Sequence, residues 1–280
     1  MKKIGFVDYY ISEWHANNYP AWFKEANEKL GLDYEVAYFW AEKDLSPVDN
    51  VTSSQWAEKM GIEQLNTIEE LCEKSDVIVI LAPSNPETHL KYAKAVLPYG
   101  KRTYIDKTFA PDLETTKEIF EIANKYNTPF YSTSALRYAD ELKAFNDVKN
   151  VVITGGGRLF EEYLVHPCEM AVTLLKKRIV KVKTEKMGNQ YFCRAVCEDG
   201  NEIGIAFSLY YGYSISAENN SGDISYKKVE SSFFLNLISD MLKFFEDGKT
   251  PFDVNETIEV MRLRAGLIKA AEQDGVWLEV

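Results

Sequence analysis

Two short stretches of this 280-residue chain gather side chains that could do chemistry. The first is Asp106-Lys107, placed directly after the apolar run Arg102-Thr103-Tyr104-Ile105. The second runs from Glu161 to Met170, where Glu162, His166 and Glu169 stand at i, i+4 and i+7. On a helix that spacing puts all three on one face. Histidine titrates near neutral pH, so His166 suits removal of a proton from a hydroxyl. A lysine donates hydrogen bonds and stabilises a developing alkoxide. The Glu-x-x-x-His-x-x-Glu face also offers good ligands for zinc or manganese, so a metal-dependent lyase or isomerase using Glu162, His166 and Glu169 is one alternative. The plain structural readings are a packing or capping His166 beside Pro167 and a solvated Lys107 at a strand end.

The elements that must position these residues are legible around Lys107. Asp76 to Leu81 is a short β-branched apolar run, which reads as a strand buried on both faces. Ala82-Pro83-Ser84-Asn85-Pro86 breaks it, and Glu87 to Leu97 carries apolar residues at helical spacing up to Gly100. Arg102 to Ile105 is the next strand. Strand, helix, strand within about thirty residues is one βαβ unit, so the sheet is parallel. Ligands in such sheets sit beyond the carboxyl ends of the strands, where both the Pro83–Asn85 turn and Asp106-Lys107 fall.

Upstream, Lys3–Val7 reads as the first strand, Pro20–Leu30 as a helix closed by Gly31, and Asp33–Phe39 as the second strand. A dinucleotide-binding fold places a Gly-x-Gly-x-x-Gly turn after its first strand, so that backbone amides can approach a diphosphate. Here Asp8-Tyr9-Tyr10-Ile11-Ser12-Glu13 stands in that position, with no glycine between Gly5 and Gly31. The tyrosines are bulky and the two acids repel a diphosphate, so the segment reads as a diverged turn. Downstream, Thr115–Tyr126 reads as an amphipathic helix and Pro129–Tyr131 as a last strand. From Ser132 the pattern changes. Leu136–Val148 reads as helical, Val151–Thr154 as a strand, and Gly155-Gly156-Gly157 as a flexible turn, since it lacks the Gly-Lys-Ser/Thr ending of a phosphate loop. Then 180–183, 191–198, 202–217 and 224–229 alternate as strands, with Asp199-Gly200-Asn201 a hairpin turn. Two amphipathic helices, 233–245 and 255–272, end the chain.

The order Asp-Val-Ile-Val-Ile, Pro83-Ser84-Asn85, His89 and an acid-Lys pair resembles the glucose–fructose oxidoreductase / inositol dehydrogenase (Gfo/Idh/MocA) family. That family usually writes Glu-Lys-Pro where this chain has Asp106-Lys107-Thr108. The three histidines, His15, His89 and His166, fall where the family pattern has them, and the tail is similar to the family's ending. The resemblance implies an α/β fold: a Rossmann-like doubly wound parallel sheet over residues 1–131, then an α+β domain with a mainly antiparallel sheet over 132–280. It implies an NAD(P)-dependent dehydrogenase chemistry on a hydroxyl or carbonyl of a sugar- or polyol-like small molecule, with Lys107 and His166 as acid/base pair and Glu162 beside them. It also implies NAD(H) or NADP(H), held by Ile11, Ala82, Pro83, Asn85, His89, Asp106 and Lys107. Only Glu42 could serve as the acid that the family places on the adenosine ribose. Asp8, Glu13 and Glu42 make a 2′-phosphate unwelcome, so NAD is favoured over NADP. Against any dinucleotide stands the Asp8–Glu13 segment. The second reading is therefore a family member that has lost dinucleotide binding and senses a ligand, as regulatory members do. The family also pairs subunits through the second sheet, which implies a homo-oligomer.

Composition limits the partners. A net charge of −11 with scattered basic residues argues against nucleic acid. No apolar run reaches the length of a membrane span, and the early acid in Met-Lys-Lys-Ile-Gly-Phe-Val-Asp is unlike a signal peptide, so a cytoplasmic protein is expected. The four cysteines show no zinc spacing and are expected to be reduced.

Overall fold

The computed structural model describes all residues, 1–280, in two units: 1–133 with 235–253, and 134–234 with 254–280. In the first unit the elements run β1 (Lys2–Tyr10), α1 (Trp14–Leu30), β2 (Tyr34–Lys43), α2 (Ser53–Met60), β3 (Glu63–Gln64), α3 (Ile68–Lys74), β4 (Val77–Ile80), α4 (His89–Val96), β5 (Thr103–Ile105), α5 (Leu113–Tyr126) and β6 (Phe130–Tyr131). The six strands form one sheet in the order β3-β2-β1-β4-β5-β6, and every pairing in it is parallel. This is the Rossmann-like order, with its switch point between β1 and β4. Ile4, Phe6 and Val7 of β1 and all four residues of β4 are buried, as a sheet covered on both faces requires.

Two strands are longer than the sequence suggests. β1 continues through Asp8, Tyr9 and Tyr10, and β2 continues to Lys43, with Asp8 paired to Ala41 and Tyr10 to Lys43. Tyr9, Tyr10 and Trp40 are good strand formers, and pairing with each other gives both strands a reason to run on. So the expected turn at Asp8 is a strand. Helix α1 begins at Trp14 rather than at Pro20, which lies inside it. The start is set by Glu13, whose side chain caps the first turn.

The second unit holds β7 (Val148–Gly155), α6 (Phe160–Tyr163), α7 (Val165–Leu175), β8 (Ile179–Met187), β9 (Gln190–Cys197), β10 (Glu202–Phe207), β11 (Ser214–Asn219), β12 (Ile224–Lys228), α9 (Asn255–Ala271) and β13 (Leu278–Glu279). Its strands pair in the order β12-β11-β7-β10-β9-β8-β13, antiparallel except for β7 with β10. Val151, Ile153, Cys193, Ala195, Ile203 and Ile205 line the inner face against α7 and α9, whose Cys168, Val172, Leu263 and Leu267 are buried with them. Between the two halves of this unit, α8 (Phe233–Asp247) takes the chain back to the first unit. There Phe244 packs edge-on against Tyr131 at 5.0 Å, and Arg102 caps the end of α8 by donating to the Phe245 and Glu246 carbonyls. The boundary is thus not a single cut after Tyr131.

Three further expectations are corrected. Leu136–Val148 is not one helix but two short 3₁₀ segments, Ala135–Tyr138 and Asp140–Ala144, followed by a turn at Asp147 with φ of 51°. The 202–217 run is two strands, because Ser208–Gly212 leaves the sheet and exposes Tyr210. The triple glycine is a close-packing device. A Cβ on Gly156 would run into the Ser208 and Tyr211 carbonyl oxygens, and one on Gly157 into the Tyr163 ring. All four cysteines are buried and free. No helix is long and apolar enough to cross a membrane.

Candidate active site

Lys107 stands at the carboxyl end of β5, half-buried, with its Nζ 3.4 Å from the Pro83 carbonyl oxygen. Its neighbour Asp106 is buried and fixes the backbone there: Oδ1 accepts from the Lys107 amide at 2.8 Å and from the Tyr104 hydroxyl at 3.3 Å. Asp106 Oδ2 lies 2.7 Å from His15 Nδ1. Burial works to raise the Asp106 pKa, but His15 and then Lys107 outweigh it and hold the carboxyl below its usual range. The Asp106–His15 pair thus ties β5 to the first turn of α1.

The turn after β4 is held by a second acid. Asp8 Oδ1 accepts from the Ala82 amide at 3.0 Å and from the Tyr9 amide at 2.7 Å, which bridges the switch point from β1 to β4. Ala82 sits at φ of 56°, a conformation costly for any residue with a Cβ. Replacing it with valine is expected to lower stability by about 2 kcal/mol, and with glycine to change it by about 1 kcal/mol or less, read by urea denaturation. Pro83 is buried and Asn85 half-buried in the same turn. His89 is fully buried, with Nδ1 3.0 Å from the Phe109 carbonyl and Nε2 2.7 Å from the Leu81 carbonyl. It therefore staples the strand ends on either side of the turn, and burial lowers its pKa despite both contacts.

Ile11, Ser12 and Glu13 are buried as well. Glu13 accepts from the His15 amide at 2.8 Å and from the Ala16 amide, so its carboxylate covers the amino end of α1. Ser12 is closed over by the loop after β2: its hydroxyl donates to Asp49 at 2.7 Å, and Ser46 donates to its carbonyl at 2.8 Å. Burial and the mutual repulsion with Glu13 push the Asp8 carboxyl well up, and burial raises Glu13 too. Sequence reasoning found the two acids but missed their placement. The sequence carries little signal for it, since Glu is not a favoured N-cap residue and Trp14-His15-Ala16-Asn17-Asn18 is not a run of strong helix formers.

In the second unit, His166 lies in the first turn of α7, half-buried, with Nδ1 2.7 Å from the Ser134 hydroxyl. Tyr163 and Tyr213 flank its ring at centroid distances of 5.9 and 5.8 Å. Glu162 is half-buried in α6. Glu169 is buried and accepts from Arg137 Nε at 2.6 Å and from the Ser134 amide at 3.2 Å. Arg137 reaches Glu256 as well, at 2.6 Å. The Glu162/His166/Glu169 metal alternative thus loses a ligand to Arg137, and no group of three or more His, Cys, Asp or Glu is placed to hold a metal ion. Lys107 and the residues of the β4 turn are brought together within the first unit, while Glu162, His166 and Glu169 belong to the second.

Residues 40–133, which include the β4 turn, Asp106 and Lys107, match the family model GFO_IDH_MocA, described as an oxidoreductase family with an NAD-binding Rossmann fold. Over this segment the chain is similar to the Gfo/Idh/MocA family. The match starts after the Asp8–Glu13 segment. Among solved structures, the chain is similar to a probable dehydrogenase from Thermotoga maritima (TM-score 0.80, 13% identity, 99% of this chain and 98% of that one). It is similar to a myo-inositol dehydrogenase from Corynebacterium glutamicum (TM-score 0.78, 14% identity, 100% and 98%). It is also similar to GenD2 from gentamicin A biosynthesis, solved in complex with NAD (TM-score 0.77, 12% identity, 100% and 97%). At these identities the likeness is one of fold. No curated protein matches the chain in sequence.

The NAD that the family description implies can be tested against the residues present. A diphosphate needs free amides at the α1 amino end and glycine where the chain passes close to it. The His15 and Ala16 amides are taken by Glu13, and the first two glycine positions, Asp8 and Tyr10, lie in an extended strand. Asp8 Oδ2 is buried with no hydrogen-bond partner, and any charge on it would repel an anion placed there. The residues do not fit a diphosphate in the usual place.

Proposed function

We propose that the protein recognises a hydroxyl or carbonyl of a sugar- or polyol-like small molecule through Lys107 and His166, with Glu162 beside the histidine. One observation carries this reading: Asp106 and Pro83 fix Lys107 at a strand end of the family-matched segment. Lys107 would donate a hydrogen bond to the ligand oxygen and stabilise negative charge on it. His166, its Nδ1 against Ser134, would take or give the hydroxyl proton through Nε2. Turnover by an NAD(P)-dependent oxidoreductase is the chemistry that the family description supports. The β1–α1 segment favours a second reading, a family-shaped protein that binds the same class of ligand without a dinucleotide. Assembly of copies through the outer face of the second sheet, where Val152, Phe192 and Tyr226 are exposed, belongs to the same proposal.

A thermal-shift screen of inositols, hexoses and their acids on the wild-type chain tests the ligand class. The Lys107→Ala variant is expected to bind the best hit about tenfold to a hundredfold more weakly, the loss of one charged hydrogen bond. Equal affinity in the two proteins would remove Lys107 from the site.

A further inference from the structure

The poor fit of a diphosphate at the α1 amino end has a structural cause, and it bears on which of the two readings holds. We infer that Glu13 is a built-in occupant of the diphosphate position, and that this chain binds neither NAD(H) nor NADP(H). The inference rests on the ligand-recognition reading only in choosing between its two forms, and it takes the second.

Four observations converge on it. The Glu13 carboxylate is an anion that accepts from the amides of the first turn of α1, which is what a diphosphate would do there. The β1–β2 ladder runs through the place of the glycine turn as far as Tyr10 and Lys43, and fills it with side chains. Asp8 spans the switch point to the Ala82 amide, so the crevice between β1 and β4 is bridged by protein. Glu42, the acid positioned for a ribose, accepts instead from Lys91 at 2.8 Å and from the Tyr92 hydroxyl at 2.9 Å.

The electrostatics point the same way. Asp8 and Glu13 are buried, Glu13 and Asp106 add to the burial that raises the Asp8 pKa, Asp106 adds to that which raises Glu13, and His15 is paired with Asp106. A diphosphate would add negative charge to three buried acids. To reach the amides it would also have to displace a carboxylate tethered one residue from the helix, which competes at a high effective concentration.

The test uses the wild-type chain. NADH and NADPH are titrated while nicotinamide fluorescence and the thermal midpoint are followed, and amide hydrogen exchange over residues 13–17 is measured with and without NADH. The expected result is no saturable signal, no midpoint shift, and unchanged exchange at His15 and Ala16. Saturable binding with a Kd below about 1 mM overturns the inference, whether or not the α1 amides respond. The polyol screen is independent of this outcome. A midpoint rise with a polyol but none with NADH supports both the inference and the ligand reading. A flat polyol screen sinks the ligand reading and leaves the cofactor result standing.

Discussion

Replacing Arg137 with alanine is expected to lower the stability of the protein by about 3–5 kcal/mol, the cost of breaking a buried ion pair from one side. Arg137 is 6% exposed and lies between Glu169, at 3%, and Glu256, at 14%. Burial alone works to lower the arginine's pKa, and the two carboxylates more than offset it. Without the guanidinium, two carboxylates stay in the interior with no cation between them. Guanidinium denaturation of the two proteins at pH 7 measures the loss, and a change under 1 kcal/mol would show that the network is not a stabilising one. The loss has a local consequence as well. Glu169 also accepts from the Ser134 amide, and the Ser134 hydroxyl meets His166. Arg137 therefore acts on His166 at one remove. Substituting methionine, which fills volume without charge, is expected to leave most of the loss in place, because the stranded carboxylates rather than a cavity cause it.

The same network shows what the sequence could and could not convey. Glu162, His166 and Glu169 stand at helical spacing, and that is legible. That Glu169 faces Arg137 is a pairing across about thirty residues of chain, and no periodicity encodes it. The parallel sheet was legible because Val77–Ile80 and Thr103–Ile105 are short apolar runs with a helix between them. The ends of β1 and β2 were not. Asp8 reads as the end of a strand until its pairing with Ala41 is known, and strand pairing is non-local. Pro20 reads as the first residue of a helix, a position proline favours, whereas the cap at Glu13 places it in the second turn. Near Lys107, residue types were enough to name Asp106, Ala82, Pro83 and His89. They could not tell which of these would face a ligand and which, like His89, would spend both ring nitrogens on backbone carbonyls.

Asp8→Asn is expected to stabilise the protein, and by more as the pH rises. The Asp8 carboxyl is 1% exposed, and burial, then Glu13, raise its folded-state pKa well above its unfolded value near 4. The unfolded chain therefore gives up this proton at a lower pH than the folded chain does. Between the two pKa values the folded state binds more protons, so stability falls by about 1.4 kcal/mol for each pH unit of rise. An asparagine at position 8 accepts from the Tyr9 and Ala82 amides as the aspartate does, but it carries no charge past Glu13 and Asp106. The two proteins should then be nearly equal at pH 4 and separate above it, the variant being the more stable. Other groups of the cluster titrate too. His89, its pKa lowered by burial, makes stability fall as the pH drops below about 6.5, the opposite direction. Glu13 acts in the same direction as Asp8, its pKa raised chiefly by burial. His89 remains in both proteins, so its contribution largely cancels when the difference is taken at each pH. Urea midpoints at pH 4, 6 and 8 give that difference directly. A difference that stays flat across the range would mean that Asp8 folds as an ordinary carboxylate, and that the closure of the switch point costs the chain nothing.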